Sequence, residues 1–140
     1  MHEIEALLSQ ATPFLRSRVL LVGSEGVGAL DLVGSIFRRR GHLVEIDPKG
    51  TEELSSIDAY DLVVVELDVR KPDALSFMGR LRQISVVPLL VLIPMTARSQ
   101  GIRALELGAD CFVVLPFDRR ELVARSEALI RRYRQAFDLQ

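Results

Sequence analysis

Leu105-Glu106-Leu107-Gly108-Ala109-Asp110-Cys111-Phe112-Val113-Val114-Leu115-Pro116-Phe117 is the stretch from which the fold is read. Gly108 stands where a helix over Arg98 to Leu107 must stop, because glycine accepts the left-handed conformation that ends helices. Phe112 to Leu115 then forms a short unbroken apolar run, the pattern of a strand buried on both faces. Working outward, the pattern recurs at Arg18 to Val22, Asp61 to Val65 and Leu89 to Ile93. His42 to Ile46 is more polar and reads as an outer strand. Helical spacing fills the intervals: Val27 to Arg40 with Leu30, Val33 and Phe37 on one face, and Pro72 to Gln83 with Leu75, Met78 and Leu81. The last helix, Asp118 to Ala136, carries Leu122, Leu129, Ile130 and Tyr133 as its stripe. Alternating strands and helices imply right-handed crossovers and a doubly wound α/β sandwich. Sites in such folds lie beyond the carboxyl ends of the strands.

At 140 residues with 49% hydrophobic side chains, the chain fits one domain with a full core. Residues 18–136 form that domain, and residues 1–17 are an N-terminal extension. Lysine plus arginine number 18 against 19 aspartate plus glutamate. The near balance supplies no bulk attraction to nucleic acid or an anionic membrane, so neither is expected as a partner of this domain alone. Cys111 is the single cysteine, which excludes an internal disulfide and any multi-cysteine metal site; it reads as a small half-buried hydrophobe. No apolar run approaches the roughly 18 residues that span a bilayer, and no signal-peptide pattern opens the chain. A cytoplasmic protein is the expectation. Within the extension, Ile4, Leu7 and Leu8 suggest a short helix before Pro13, packed on its own domain or against another subunit.

The opening stretch resembles the end of a two-component receiver domain, except that the family's lysine before the proline is Leu115. Aligned from there, the resemblance covers residues 18–136. It implies a flavodoxin-like, CheY-like fold with five parallel strands in the order 2-1-3-4-5. It also implies a phosphate site that this chain has largely lost. Receivers follow strand 1 with an acidic pair that binds Mg²⁺; Gly23 and Ser24 replace the pair, and only Glu25 remains acidic. Hard cations need several oxygen ligands, so no metal or other cofactor is expected. Glu66 falls at the position of the phosphoacceptor aspartate, where it reads as a vestigial carboxylate or a phosphate mimic. Ile93 replaces the hydroxyl residue and Leu115 the cation that would read such a charge. Asp68 could accept phosphate instead, but without metal or lysine the transition state lacks stabilisation. Arg70 and Ala74 replace the proline and glycine usual in the loop beyond.

Gly23-Ser24-Glu25-Gly26-Val27-Gly28 follows a strand and opens a helix, the setting for phosphate binding. Ala29-Leu30 nevertheless replaces the Lys and Ser/Thr of a P-loop, and Asp31 breaks the dinucleotide spacing. A nucleotide or anion module at this loop stays as an alternative, as does a residual phosphoacceptor serving an output domain. The favoured expectation is a non-enzymatic signalling module, a pseudo-receiver that works through a protein surface. Phe112 matches the family's switch aromatic, and with Ile93 as partner it reads as fixed packing. Glu106, Asp110, Glu121 and Arg125 resemble the charge pattern by which OmpR-like regulators dimerise through helix 4, strand 5 and helix 5. A homodimer or protein partner on that face is therefore expected.

Overall fold

The computed structural model describes residues 17–23, 29–47, 54–68 and 73–138. Its strands are β1 (Arg18–Val22), β2 (Leu43–Asp47), β3 (Leu62–Glu66), β4 (Leu89–Pro94) and β5 (Cys111–Leu115). Its helices are α1 (Ala29–Arg39), α2 (Asp73–Ile84), α3 (Gln100–Glu106) and α4 (Arg119–Asp138). All strand pairs are parallel, and the sheet order is β2-β1-β3-β4-β5, as expected. The fold is flavodoxin-like α/β.

Side-chain alternation along the central strands builds two separate cores. On one face Leu20, Val63, Val65, Val91 and Ile93 meet Met78 and Leu81 of α2 and Ala104 of α3. On the other, Val19, Leu21, Val64, Leu90 and Leu92 meet Val33 and Phe37 of α1 and Leu122 and Ile130 of α4. Each buried aliphatic side chain contributes about 1.5–3 kcal/mol of transfer free energy, so this double burial dominates the fold.

Strict alternation of strands and helices fails in one place. Between β2 and β3 the described residues form a 3₁₀ helix, Leu54–Ala59, which buries Ile57. Its serines and aspartate favour local bonds over a regular helix, and Asp58 accepts a 2.6 Å bond from the Ser85 hydroxyl. A second 3₁₀ turn, Met95–Ala97, precedes α3, so that helix is shorter than Arg98 to Leu107. The extension's Ile4, Leu7 and Leu8 lie outside the described residues.

β2 begins one residue later than its apolar run because His42 is withdrawn into a buried network. The Ser17 backbone N–H donates to His42 Nδ1 at 3.2 Å, which leaves the ring proton on Nε2. Nε2 in turn donates to Glu127 Oε2 at 3.0 Å. The same carboxylate receives Arg40 through Nε at 3.0 Å and Nη2 at 2.5 Å. Phe37 closes the site edge-on, 5.8 Å from the imidazole. A second tie joins α4 to the sheet: Asp61 accepts the Arg18 N–H at 2.9 Å and Arg134 Nη2 at 3.3 Å. Both ties lie at the amino ends of the strands, opposite the expected site.

Glu127→Ala would strand a buried imidazole and half-buried Arg40, and is expected to cost about 2 kcal/mol in denaturant unfolding. Burial holds the His42 pKa below its ordinary 6.5, against the opposing pull of Glu127; Arg40 and Arg134 also lower it. The unfolded chain then binds more protons than the folded one in weak acid. Stability is accordingly expected to be complete above pH 6.5 and to decline as pH falls toward the folded-state value. His42→Asn, which keeps an acceptor for Ser17, should flatten that slope.

Candidate functional site

Glu66 ends β3, in register with Leu92 of β4, at the crevice where β1 and β3 part. Ile93 is fully buried in the α2–α3 face of the sheet. Leu115, half-buried, packs on the opposite face with the cluster that contains Leu30 of α1. Glu66 Oε1 is buried without a hydrogen-bond partner. Burial, and then the nearby Asp68 charge, push its pKa up. Among the described residues, no hydroxyl or cation is bonded to Glu66 Oε1.

Gly23, the first position of the replaced acidic pair, is closely packed. A Cβ built there would stand 2.6 Å from Leu30 Cδ1 and 3.1 Å from Glu66 Cβ. The nearer contact is with the tip of a flexible side chain, so a residue with a Cβ at position 23 would require Leu30 to change rotamer and Glu66 to give by a few tenths of an ångström. Ser24 and Glu25 lie outside the described residues, as do Arg70 and the remainder of the Gly23–Gly28 loop. Among the described residues no group of three or more His, Cys, Asp and Glu side chains could hold a metal ion.

Phe112 points to the other face, in the cluster that contains Ile93, Ala97 and Ala104. It fills the position that a side chain at residue 101 would take. A Cβ on Gly101 would lie 2.6–2.8 Å from three atoms of the ring. α3 can therefore sit on Phe112 only because residue 101 is glycine, although glycine inside a helix costs up to about 1 kcal/mol.

The four charged surface positions do not all stand alike. Glu121 and Arg125 are exposed on α4 and pair with each other, Arg125 Nε to Glu121 Oε1, at 3.0 Å. Glu106 is exposed at the end of α3. Asp110 is engaged within the domain: its Oδ2 accepts the Leu89 N–H at 2.8 Å and Arg82 Nη2 at 3.1 Å. Arg82 also donates to the carbonyls of Gly108, Ser85 and Val87. Asp110 thus anchors the entries to β4 and β5. Cys111 is half-buried, and burial raises its thiol pKa, which disfavours the reactive thiolate.

Sequence reasoning missed the apolar part of this surface. Ile102 is 69% exposed, Leu105 41% and Met95 63%, all on or just before α3. Gly101 and Ala104 occupy the buried side of the same helix. The available signal was an inversion, with small residues facing inward and large aliphatic residues facing out.

A parallel sheet in this order, with a carboxylate at its switch point, defines a receiver-type α/β domain. The chain is 34% identical to the alkaline phosphatase synthesis transcriptional regulatory protein SphR of Synechococcus elongatus, over 94% of this chain and 55% of that protein. It is 33% identical to the CpxR homolog of Haemophilus influenzae, over 83% of this chain and 51% of that one. The receiver domain of the Francisella response regulator 1452 superposes with a TM-score of 0.71 at 24% identity, covering 84% of this chain and 98% of that domain. No protein-family model matches. The chain belongs to the CheY-like receiver domains of response regulators, and it spans about half the length of these two curated relatives.

Gly101→Ala gains helix propensity but collides with Phe112, so it is expected to destabilise by about 1–3 kcal/mol in denaturant unfolding. For Glu66, a raised folded-state pKa means the carboxylate weakens the fold as pH rises above 4.5. Glu66→Gln should then increase stability at pH 7 and give no increase below pH 4, read from paired melting curves.

Proposed function

We propose that this receiver is a pseudo-receiver, transmitting its signal without a phosphoryl group through self-association on the α3–β5–α4 face. The observation that supports the first half is Glu66 itself, at the position of the family's phosphoacceptor, with its Oε1 buried and without a hydrogen-bond partner among the described residues. With Ile93 and Leu115 in place of hydroxyl and cation, positioning and charge neutralisation for phosphoryl transfer are both lacking. The domain is on this reading non-enzymatic and needs no metal. Glu66 is a remnant whose charge nothing reads, so Glu66→Gln leaves association unchanged.

Exposed Ile102 and Leu105 support the second half. Apolar anchors give affinity, while the Glu106, Glu121 and Arg125 rim sets orientation. Asp110 contributes by fixing the β5 entry more than by direct contact, given its bonds to Arg82 and Leu89. The relatives are named as transcriptional regulators and extend well beyond the matched part. Within a protein of that kind, such a domain would supply the dimer contact.

Incubation with acetyl phosphate and Mg²⁺ is expected to leave the intact mass unchanged; a stoichiometric phosphoryl adduct on Glu66 or Asp68 would overturn the proposal. In sedimentation, Ile102→Asp should shift dimer to monomer. Arg125→Glu should weaken the dimer less, and more at low salt than at high salt. A dimer indifferent to both substitutions would place self-association on another face.

A further inference from the structure

The His42 side chain is fully buried, and its two ring nitrogens are bonded to different parts of the fold. Nδ1 accepts the N–H of Ser17, the residue before β1, at 3.2 Å. Nε2 donates to Glu127 on α4 at 3.0 Å. The charged groups that face the ring are Glu127 and Arg134 from α4 and Arg40 from the turn after α1. Asp61, before β3, is bonded to Arg134 and to the Arg18 N–H. From α1 the ring of Phe37 stands edge-on to the imidazole. Glu127 takes two bonds from Arg40, so its charge is compensated even while the imidazole is neutral.

We propose that His42 is an acid-sensitive latch: its protonation releases the backbone at Ser17, where the chain enters β1, while α4 stays tied to the ring. A neutral imidazole has one acceptor nitrogen, and here it is Nδ1. The second proton goes to that nitrogen, so the acceptor is lost. Two N–H donors then face each other across the 3.2 Å between Ser17 N and Nδ1. Turning the ring over gives no relief, because both nitrogens of an imidazolium are donors. The Nε2 side changes in the opposite sense, from a neutral donor to a charge-assisted bond with Glu127. Ser17 keeps a second hold on the sheet, since its carbonyl accepts the Leu43 N–H at 2.8 Å. Acid therefore acts on one backbone bond at the entry to β1 and spares the pairing of β1 with β2. Burial, helped by Arg40 and Arg134 and opposed by Glu127, moves the titration of the ring below 6.5, so weak acid is the signal.

Nuclear magnetic resonance on the full chain tests this, with the His42 ring and the Ser17 and Leu43 amides followed through a pH titration. In the wild type the Ser17 amide shift should track the His42 ring. Its exchange protection, corrected for the intrinsic pH dependence, should fall about tenfold through that transition while Leu43 stays protected. His42→Asn offers an amide oxygen at every pH, so Ser17 should stay protected throughout. Glu127→Gln removes the group that favours the charged ring, and should move the His42 and Ser17 transitions together to lower pH. A Ser17 amide that ignores the His42 titration, in the wild type or in Glu127→Gln, would overturn the proposal. So would loss of protection at Ser17 and Leu43 together, which is general acid unfolding.

Discussion

A parallel sheet in the middle of a small domain has to be covered on both faces, and that requirement governs this molecule. β1, β3 and β4 carry aliphatic side chains on each side and are buried almost completely. The four described helices exist largely to meet them, α1 and α4 on one face, α2 and α3 on the other. Because this burial supplies the stabilisation, the carboxyl ends of the strands can lose polar groups without loss of fold. Ile93 and Leu115, near the carboxyl ends of β4 and β5, are apolar members of the two cores.

Polar interactions are concentrated instead at the amino ends. Glu127 joins Arg40 and His42, Asp61 joins Arg18 and Arg134, and Arg82 gathers the loops that enter β4 and β5. Each of these groups is bonded several times over, as partly buried charge requires. They hold α4 and the β4 and β5 entries in place from the end of the sheet remote from Glu66. The elements α3, β5 and α4, on which self-association is proposed, are thereby held from the end of the sheet remote from Glu66.

Much of this was legible in the sequence. Unbroken runs such as LLVLI and FVVL give a buried parallel strand its recognisable form, and Gly41 and Gly108 mark helix ends with positive φ. The replacement of the family's phosphate-site residues was legible because it depends on residue identity at a few positions. What escaped depends on three-dimensional proximity. Nothing local to His42 says that it will meet Glu127, 85 positions away. Gly101 reads as a weak point in a helix until the ring of Phe112 is seen beneath it. Ile102 and Leu105 look like ordinary core residues until the helix is placed with Gly101 and Ala104 inward. The 3₁₀ helix at Leu54–Ala59 was missed because its residues lack any strong period.

The two margins of the sheet are treated differently, and this bears on solubility. β2 carries Glu45 and Asp47, and Glu45 is held by Arg18 and Tyr60. β5, Cys111–Leu115, has no charged residue at all. An unpaired strand without charges is a template for adventitious pairing with another chain. Any association that closes over α3, β5 and α4 covers that bare margin. If the proposed self-association forms there, it would also guard against aggregation at the uncharged side of the sheet.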